Sequence, residues 1–579
     1  MPRVMEITTP LGDGVLLFHA ISTREELGRL FEYQIDVLSE RNDIDPNKLL
    51  GHNVTVRVEL PEGGERHFDA YVTAFSLVGV LGRYLRYRIV GRPWLWFLTR
   101  CADCRIFQNR KVPEILEEIF GKYSIAAYEL DRLTGTYEPW EYCVQYRETD
   151  FNFVSRLMEQ EGIYYFFTHK DGKHTAVLCD SPSAHEPYPG YAQLPFVSGE
   201  RALRVERERI TEWGFSWEVQ PGAYAIDDFD FKKPSVELLQ QTRHKRDYAE
   251  GEHEIYDYPG EYDSKGEGES YVRIRLEELQ SQVQIMQGAG NARGIASGCV
   301  FELEEQPRED QNRKYLITAS RLDFVLAAHE AGGGEGASFR SSFDCIASDL
   351  PFRTPRTTRK PLVQGLQTAI VVGPAGDEIY TDEYGRVKVH FHWDRHGKDD
   401  ENASCWIRVS HPWAGKNFGM MAMPRIGQEV VVEFLEGDPD RPLITGRVYN
   451  AEQMPPWELP ANKTQTGVLT RSSLGGSGAN ANAIRFEDKK GSEQLWIHAE
   501  KNQDIEVEND ETHWVGHDRT KTIDNDETTH VKHDRTETVD NNETITIHGQ
   551  RTETVDKDET ITIHQNRSER VDIDEKISI

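Results

Sequence analysis

From residue 507 to the last residue, an aliphatic β-branched side chain returns every eight positions: Val507, Val515, Ile523, Val531, Val539, Ile547, Val555, Ile563, Val571 and Ile579. Four places after each of them an acid and a base take turns: Glu511, Arg519, Glu527, Arg535, Glu543, Arg551, Glu559, Arg567 and Glu575. Thr pairs such as Thr536 and Thr538, Thr544 and Thr546, or Thr552 and Thr554 fill the space between. A helix needs an apolar residue every three or four positions, so one in eight cannot make a helical stripe. Thr, Val and Ile are strand formers, and Thr544-Ile545-Thr546-Ile547 alternates with period two. The segment reads as a stack of short strands, one per octad. Asp540, Asn541, Asn542, Asp556 and Asp558 suit the corners.

One inward residue per octad cannot bury itself, so neighbouring layers must bury it together. A three-sided prism does this, either as one chain coiling three octads per turn or as three chains each supplying one side of every layer. Both arrangements stack octads that differ by an odd number, which turns the Glu/Arg alternation into opposite-charge ladders. The octads all look alike, which favours equivalent sides and hence an intertwined homotrimer with the ten Val and Ile positions as its core. Strands about 4.8 Å apart would make a stiff rod of roughly 45–50 Å. A calcium β-roll needs Gly-rich nonapeptides, whereas this repeat holds only Gly516 and Gly549. An ice-binding face is disfavoured by the charged residues Lys521, Glu537 and Glu553 inside the Thr-x-Thr columns. His513, His517, His530, His533, His548 and His564 share no single octad position, so they read as solvated residues. No metal or other cofactor is expected.

A chain of 579 residues should hold three or four domains. Its 98 acids against 67 bases, net −31, disfavour nucleic-acid binding and anionic membrane surfaces. No run of eighteen apolar residues could span a bilayer, and the start, Met1 to Leu11, lacks the apolar stretch of a signal peptide. Synthesis in the cytoplasm is therefore expected. Seven cysteines, an odd number, point to a reducing compartment, and Cys101-x-x-Cys104 has no second pair at zinc-site spacing. Cys143 is expected on the polar face of a strand whose other face carries Trp140, Tyr142, Val144 and Tyr146.

Taken in order, residues 1 to about 170 read as strands with two short helices. Ala70 to Leu77 and Tyr84 to Val90 alternate as half-buried strands do. Pro113 opens a helix with Ile115, Leu116, Ile119 and Phe120 on one face, and Gly121 can close it. Asp150 is placed to cap a second helix carrying Phe153, Val154, Leu157 and Met158, ended by Gly162 and followed by the buried strand Ile163 to Phe167.

Arg105-Ile106-Phe107-Gln108-Asn109, followed by Gln145-Tyr146-Arg147-Glu148-Thr149-Asp150-Phe151-Asn152-Phe153 and Glu161 to Phe166, closely resembles the VgrG spike proteins of type VI secretion systems. The resemblance runs through the whole chain. It implies a mainly β protein with a tail-hub-like base of two barrel-like subdomains (1–355), as in contractile phage tails. An OB-fold (366–450), a neck (451–500) and the octad prism (501–579) follow. In the base, a helix is expected from Tyr271 to about Met286. Strands are expected at Cys299 to Leu303 and Tyr315 to Thr318, a flexible loop at Gly332-Gly333-Gly334, and a basic linker from Pro351 to Pro361. In the OB region Val387, Val389, Phe391 and Trp393 alternate with polar residues, and Trp406 to Val409, Glu429 to Phe434 and Leu443 to Tyr449 supply further strands. Asp382 to Val389 and Pro424 to Val430 match the family's needle-base barrel, and Thr466 to Gly476 and Asn482 to Asp488 match its neck. No stacking platform for oligonucleotides stands out.

The enzyme motifs fail one by one. His185-Glu186, His253-Glu254 and His329-Glu330 lack the second His of a zinc protease, holding Pro189, Asp257 and Gly333 instead. Gly475 to Ala479 misses the second Gly of a nucleophile elbow, and Gly288 to Gly294 is one residue too long for a dinucleotide fingerprint. Related phage needles carry a lysozyme domain between barrel and prism, but here only a connector containing Met454-Pro455-Pro456-Trp457 separates Val448 from Thr466. The expectation is a non-enzymatic, membrane-puncturing spike that docks on the tube protein Hcp. It carries effectors, bears a PAAR-repeat protein at its C-terminal tip, and leaves the cell through the secretion machine. The alternatives are a cell-wall-degrading tail spike and a trimeric receptor-binding fibre. Ile579 falls mid-repeat and reads as a boundary inside a longer needle.

Overall fold

A computed structural model describes residues 4–198, 207–326 and 336–579. The expected glycine loop at Gly332-Gly333-Gly334 and the His329-Glu330 pair lie outside the described residues. The chain divides into two units, Met1–Glu500 and Lys501–Ile579.

Strand patterning in the first unit builds two barrels on one shared strand. Lys314–Val325 alternates strictly in its second half, with Ser320, Leu322 and Phe324 buried and Arg321 and Val325 exposed. Its residues 314–316 pair with Val300–Glu304, whereas residues 319–325 pair with Leu17–Glu26. From Leu17–Glu26 the sheet runs through Glu32–Ser39, Tyr84–Arg92, Glu65–Leu81 and Asn53–Glu59 to Met5–Thr8, which returns beside Leu17–Glu26. On the other side it runs through Ser338–Ala347 and Gln284–Gly290 to Ile210–Trp217. The ring closes where Phe196, just past Gln193–Pro195, bridges to Ile210. One apolar core fills both barrels, with the rings of Phe68 and Phe324 edge to face at 6.1 Å across the join.

A helical layer packs beside the barrels. Helix α1, Val112–Phe120, has Pro in its first turn and buries Ile115, Leu116, Ile119 and Phe120 on one face, as expected. Helix α2, Asp150–Glu161, ends at Gly162 in the left-handed conformation (φ 71°), where a Cβ would meet Ile274 at 2.9 Å. Its cap is Thr149, whose hydroxyl accepts the Asn152 N–H at 3.1 Å, and not Asp150 as expected. One position earlier, the Thr side chain has the cap geometry. That frees the buried Asp150 carboxylate to accept from Tyr123 at 2.8 Å and Gln145 at 2.9 Å. Cys143 also departs from expectation. It is buried in the same apolar cluster as Phe107 and Phe153, because both faces of Cys143–Thr149 are covered.

Helix α3 spans Lys265–Gln280 and not 271–286. Ser264 caps it early by accepting the Glu267 N–H. It ends before Met286 because Gln284–Gly290 is a barrel strand paired on both edges. In that strand a Cβ on Gly288 would meet the Phe343 ring at 2.3 Å, so the glycine serves ring packing and not a phosphate loop.

The stretch 351–361 is no loose linker. Arg353 is buried, pairs with Glu277 of α3 at 2.8 Å, and donates to the carbonyls of Gly162 and Asp180 at 2.8 and 2.7 Å. An extended, Pro-bounded backbone cannot satisfy itself, and this arginine straps it across the α2–α3 joint. Glu161 sits in the same joint, its Oε1 accepting from Trp140 Nε1 and Tyr271 OH, each at 3.0 Å. Burial pushes its carboxyl up to about 7.

Residues 366–450 form a closed five-strand barrel in the order Lys388–Phe391, Gln367–Val372, Glu429–Phe434, Pro442–Val448, Arg408–Val409. Val387 bridging to Ile407 completes the circle, and Val371, Val389, Phe391, Val430 and Ile444 fill it. The exposed hairpin Trp413–Gly415 with Phe418–Met420 was not expected from sequence. Three strands follow: Gln465–Leu469, Ala483–Glu487 and Gln494–His498.

Two predictions follow from the α2–α3 joint. Arg353→Ala should cost about 2–4 kcal/mol in urea unfolding, since it removes a charge-assisted bond to Glu277 and leaves the Gly162 and Asp180 carbonyls without this donor. Exposed Arg359→Ala should change little. Because the folded pKa of Glu161 lies above its ordinary value of 4.5, the group contributes stability that is complete at low pH. That contribution is lost as pH rises through about 7. Glu161→Gln, which keeps an acceptor for both donors, should remove this slope and stabilise the unit above pH 7 by up to about 3 kcal/mol. Parallel melting curves from pH 5 to 8 check it, and identical slopes would refute it.

Candidate functional site

Two regions carry the functional geometry, and each is built from residues that sequence reading singled out. The first is the octad segment. The backbone of residues 501–579 is extended and bends immediately after each column residue: 508–509, 516–517, 524–525, 532–533, 540–541, 548–549, 556–557, 564–565 and 572–573. No backbone hydrogen bond forms within it. The column side chains from Val507 to Val571 are each half-exposed, between 43 and 50%, whereas Ile545, Ile561, Ile573 and Ile577 outside the column reach 61 to 91%. One chain thus presents a single, evenly spaced aliphatic row with nothing covering it. On alternate octads Arg535, Arg551 and Arg567 bind Glu537, Glu553 and Glu569 two residues on, at 2.7, 2.8 and 2.9 Å. His517 and His533 each lie beside the next residue, Asp518 and Asp534, at 2.9 Å, and all four are exposed.

The second region is the seat of the OB barrel. Strands Ala102–Phe107 and Cys143–Thr149 pair, and their exposed edges grip the barrel. Val144 N–H donates to Asp440 at 2.6 Å, Gln108 donates to the Asn402 carbonyl at 2.7 Å, and Gln367 donates to Tyr146 at 2.8 Å. The Tyr146 and Trp393 rings meet edge to face at 5.7 Å. Asp103 gathers Arg105, Arg395 and His396 within 3.0 Å. Burial alone would raise its pKa, but these donors hold it well below the carboxylate range. Lys360 of the strap reaches Asp438 and Asp440, each at 2.8 Å, and Glu261 at 3.3 Å. Burial works against its charge, and these three acids keep the ammonium well above the ordinary lysine range. Arg441 pairs with Asp228 at 2.5 Å, and buried Arg156 holds Glu148 at 2.9 Å. The motifs Arg105 to Asn109 and Gln145 to Phe153 are therefore the material of a rigid joint.

Four histidines outside these regions are engaged by protein partners. His174 Nε2 accepts the Trp94 N–H at 2.8 Å, so Nδ1 carries the proton and donates to buried Asp69 at 2.7 Å. His169 Nδ1 accepts the Asp69 N–H, Tyr33 hydroxyl lies 3.1 Å from its Nε2, and that hydroxyl donates to Glu25 at 2.5 Å. This His–Asp pair has no free ring nitrogen for a nucleophile. Its members are 105 residues apart, and no local motif announces it. His185 is held by Tyr164 at 2.9 Å and the Gly298 carbonyl at 2.8 Å, and burial lowers it to about 4. His253 is an exposed partner of Glu250. A 490 Å³ cleft beside the seat, walled by Tyr142, Phe231 and Trp406, shows no base poised on a nucleophile. Among the described residues no His, Cys, Asp and Glu cluster has metal-ligand geometry.

Known proteins of this construction share its sequence. Residues 24–327 match the phage tail baseplate hub (GPD) family, and residues 368–449 match the type VI secretion system/phage-baseplate injector OB domain. Residues 466–579 match the bacteriophage T4 gp5 C-terminal trimerisation domain. The type VI secretion system spike protein VgrG1b of Pseudomonas aeruginosa is 54% identical over 90% of this chain and 70% of its own length. VgrG1a of the same organism is 51% identical over 89% of this chain and 80% of its own. Among solved structures, the E. coli c3393 protein superposes with a TM-score of 0.54 at 20% identity, covering 76% of this chain and all of that one. It is described as a type VI secretion component similar to T4 tail proteins gp27 and gp5. A chain of the half-lidded Francisella PdpA–VgrG complex reaches 0.54 at 9% identity, covering 86% of this chain and 88% of that one. With a hub, an injector barrel and a trimerisation repeat in that order, and relatives of this identity along its length, the chain belongs to the VgrG spike proteins of type VI secretion systems.

Proposed function

We propose that the protein is the homotrimeric tip of a contractile secretion machine. Residues 1–355 form its base, 366–450 its needle-base barrel, 451–500 its neck and 501–579 its needle. Val507, Val515, Ile523, Val531, Val539, Ile547, Val555, Ile563, Val571 and Ile579 line the needle axis. Their uncovered row, on a backbone with no hydrogen bond inside one chain, is the observation that carries this reading. Buried backbone groups are almost always paired, and a lone extended strand has only other chains to pair with.

In this role the base docks on the tube protein Hcp, a PAAR-repeat protein sharpens the C-terminal tip, and effector proteins ride on the spike into the target cell. The membrane is breached mechanically, by a stiff rod driven from behind. What supports cargo carriage is the fold shared with a chain of the Francisella PdpA–VgrG complex, in which a VgrG is assembled with a second protein. What supports a mechanical role is the seat, where buried charges fix orientation more than they add stability. No enzymatic step is proposed.

Light scattering coupled to gel filtration should give three times the 66.4 kDa chain mass, and a monomer at micromolar concentration would sink the needle assignment. Val555→Asp should lower the trimer's melting temperature far more than Thr554→Asp, because it places three carboxylates around one axis, each several kcal/mol costly unless protonated. Equal, small effects would show that the inward register is wrong. In cells, deleting 501–579 should abolish both effector recovery and Hcp-dependent killing, and undiminished export would overturn the spike role.

A further inference from the structure

The geometry of the octads repeats every eight residues, but their charge repeats every sixteen. Bends and column exposures recur at each octad, whereas the side chains four places on from the column alternate from Glu511 to Glu575. A second alternating row lies at the bend itself, one place after the column: Glu508, Gly516, Asp524, Lys532, Asp540, His548, Asp556, His564 and Asp572. Both rows are acidic on the same octads, those starting at 507, 523, 539, 555 and 571. The intervening octads carry Arg at one row and, beyond Gly516, Lys or His at the other.

One chain leaves this pattern unmatched. Among the described residues Glu543, Glu559 and Glu575 form no ion pair. The nearest bases in the same row, Arg535, Arg551 and Arg567, are eight residues away along the chain, roughly 25 Å in extended backbone. Those arginines hold a glutamate only two residues on, which leaves guanidinium donors free, since the group carries five.

We infer that the two alternating rows form a register code, and that the partner it accepts is a second copy of this chain with its octads in the same phase. The inference rests on the trimeric reading above. In a symmetric three-chain prism, each face stacks octad n of one chain, n+1 of the next and n+2 of the third. Every vertical contact then joins an acidic octad to a basic one, about 4.8 Å apart. The aliphatic column is indifferent to a slip of one octad, because Val and Ile recur at every step. The charges are not. Such a slip sets acid on acid along both rows and Arg on Arg along the four-place row, and like charges directly opposite are destabilising. The rows thus supply the specificity that a uniform apolar core lacks, as flanking charges do in coiled coils. They would also exclude a chain of the same fold whose octads run in the opposite phase.

The test uses full-length chains and inverts the whole four-place row, from Glu511→Arg and Arg519→Glu through to Glu575→Arg. The inverted chain keeps its own alternation, so it should trimerise by itself. Failure to do so overturns the inference. Co-expressed with the natural chain under a different tag and read by native mass spectrometry, it should form separate homotrimers. Random assortment would give roughly three quarters mixed trimers, and that result also overturns the code. A control with Gln at all nine positions should mix freely with the natural chain, and sorting by this control would place the specificity elsewhere. If neither natural nor altered chains form trimers, it is the trimeric reading that fails.

Discussion

Seventy-nine residues of extended backbone with no backbone hydrogen bond among themselves set the terms for this protein. Each peptide group is an obligatory donor and acceptor, and burying it unpaired costs as much as a lost hydrogen bond. The first unit meets that demand internally, with twelve strands in one sheet closing two barrels, and with helix ends capped by Thr149, Gly162 and Ser264. The octad unit cannot, because its bends carry each strand away from the last before any pairing forms. Folding of the second unit is therefore inseparable from association, and its stability depends on protomer concentration.

The same logic explains why the base is held by charge as well as by apolar contact. The OB barrel has its own small core around Phe391, and it could swing freely on an extended connector. Lys360, Asp438 and Asp440, with Arg441 on Asp228 and Arg395 on Asp103, remove that freedom. Ion pairs built, as these are, on a buried acid contribute little net stability against apolar substitutes, but they are satisfied in only one arrangement.

What the sequence disclosed follows the range of the interactions involved. The octad bends, the buried face of α1 and the glycine stop of α2 depend on neighbours within a few residues, and the periodicity announced them. The strands at 429–434 and around 388–391 showed for the same reason. Two of the misreadings had distant causes. Residues 351–361 read as a linker because proline and exposed-looking arginines mark linkers, yet Arg353 is anchored by Glu277 and by carbonyls 173 and 191 residues away. The end of α3 was misplaced because Met286 fits a helical stripe, and only pairing to 210–217 and 338–347 turns it into strand. The family motifs were legible as resemblance, but their purpose was not. Gln108 and Tyr146 are exposed polar residues until a barrel 221 to 294 residues away meets them.

One row of the needle does not alternate, and it shows how the others can afford to. Three places after the column stand Asp510, Asp518, Asp526, Asp534, Asp558 and Asp574, with amides at Asn542, Gln550 and Asn566. Stacked about 4.8 Å apart, these acids repel within a Debye length of about 8 Å at physiological salt. That repulsion opposes assembly, and it is offset only if neighbouring rows attract. The amides fall in the octads at 539, 547 and 563, and in the last two of these the second row carries His in place of Lys. Repulsion within this row is thus thinned toward the distal half of the repeat, where only Asp558 and Asp574 remain.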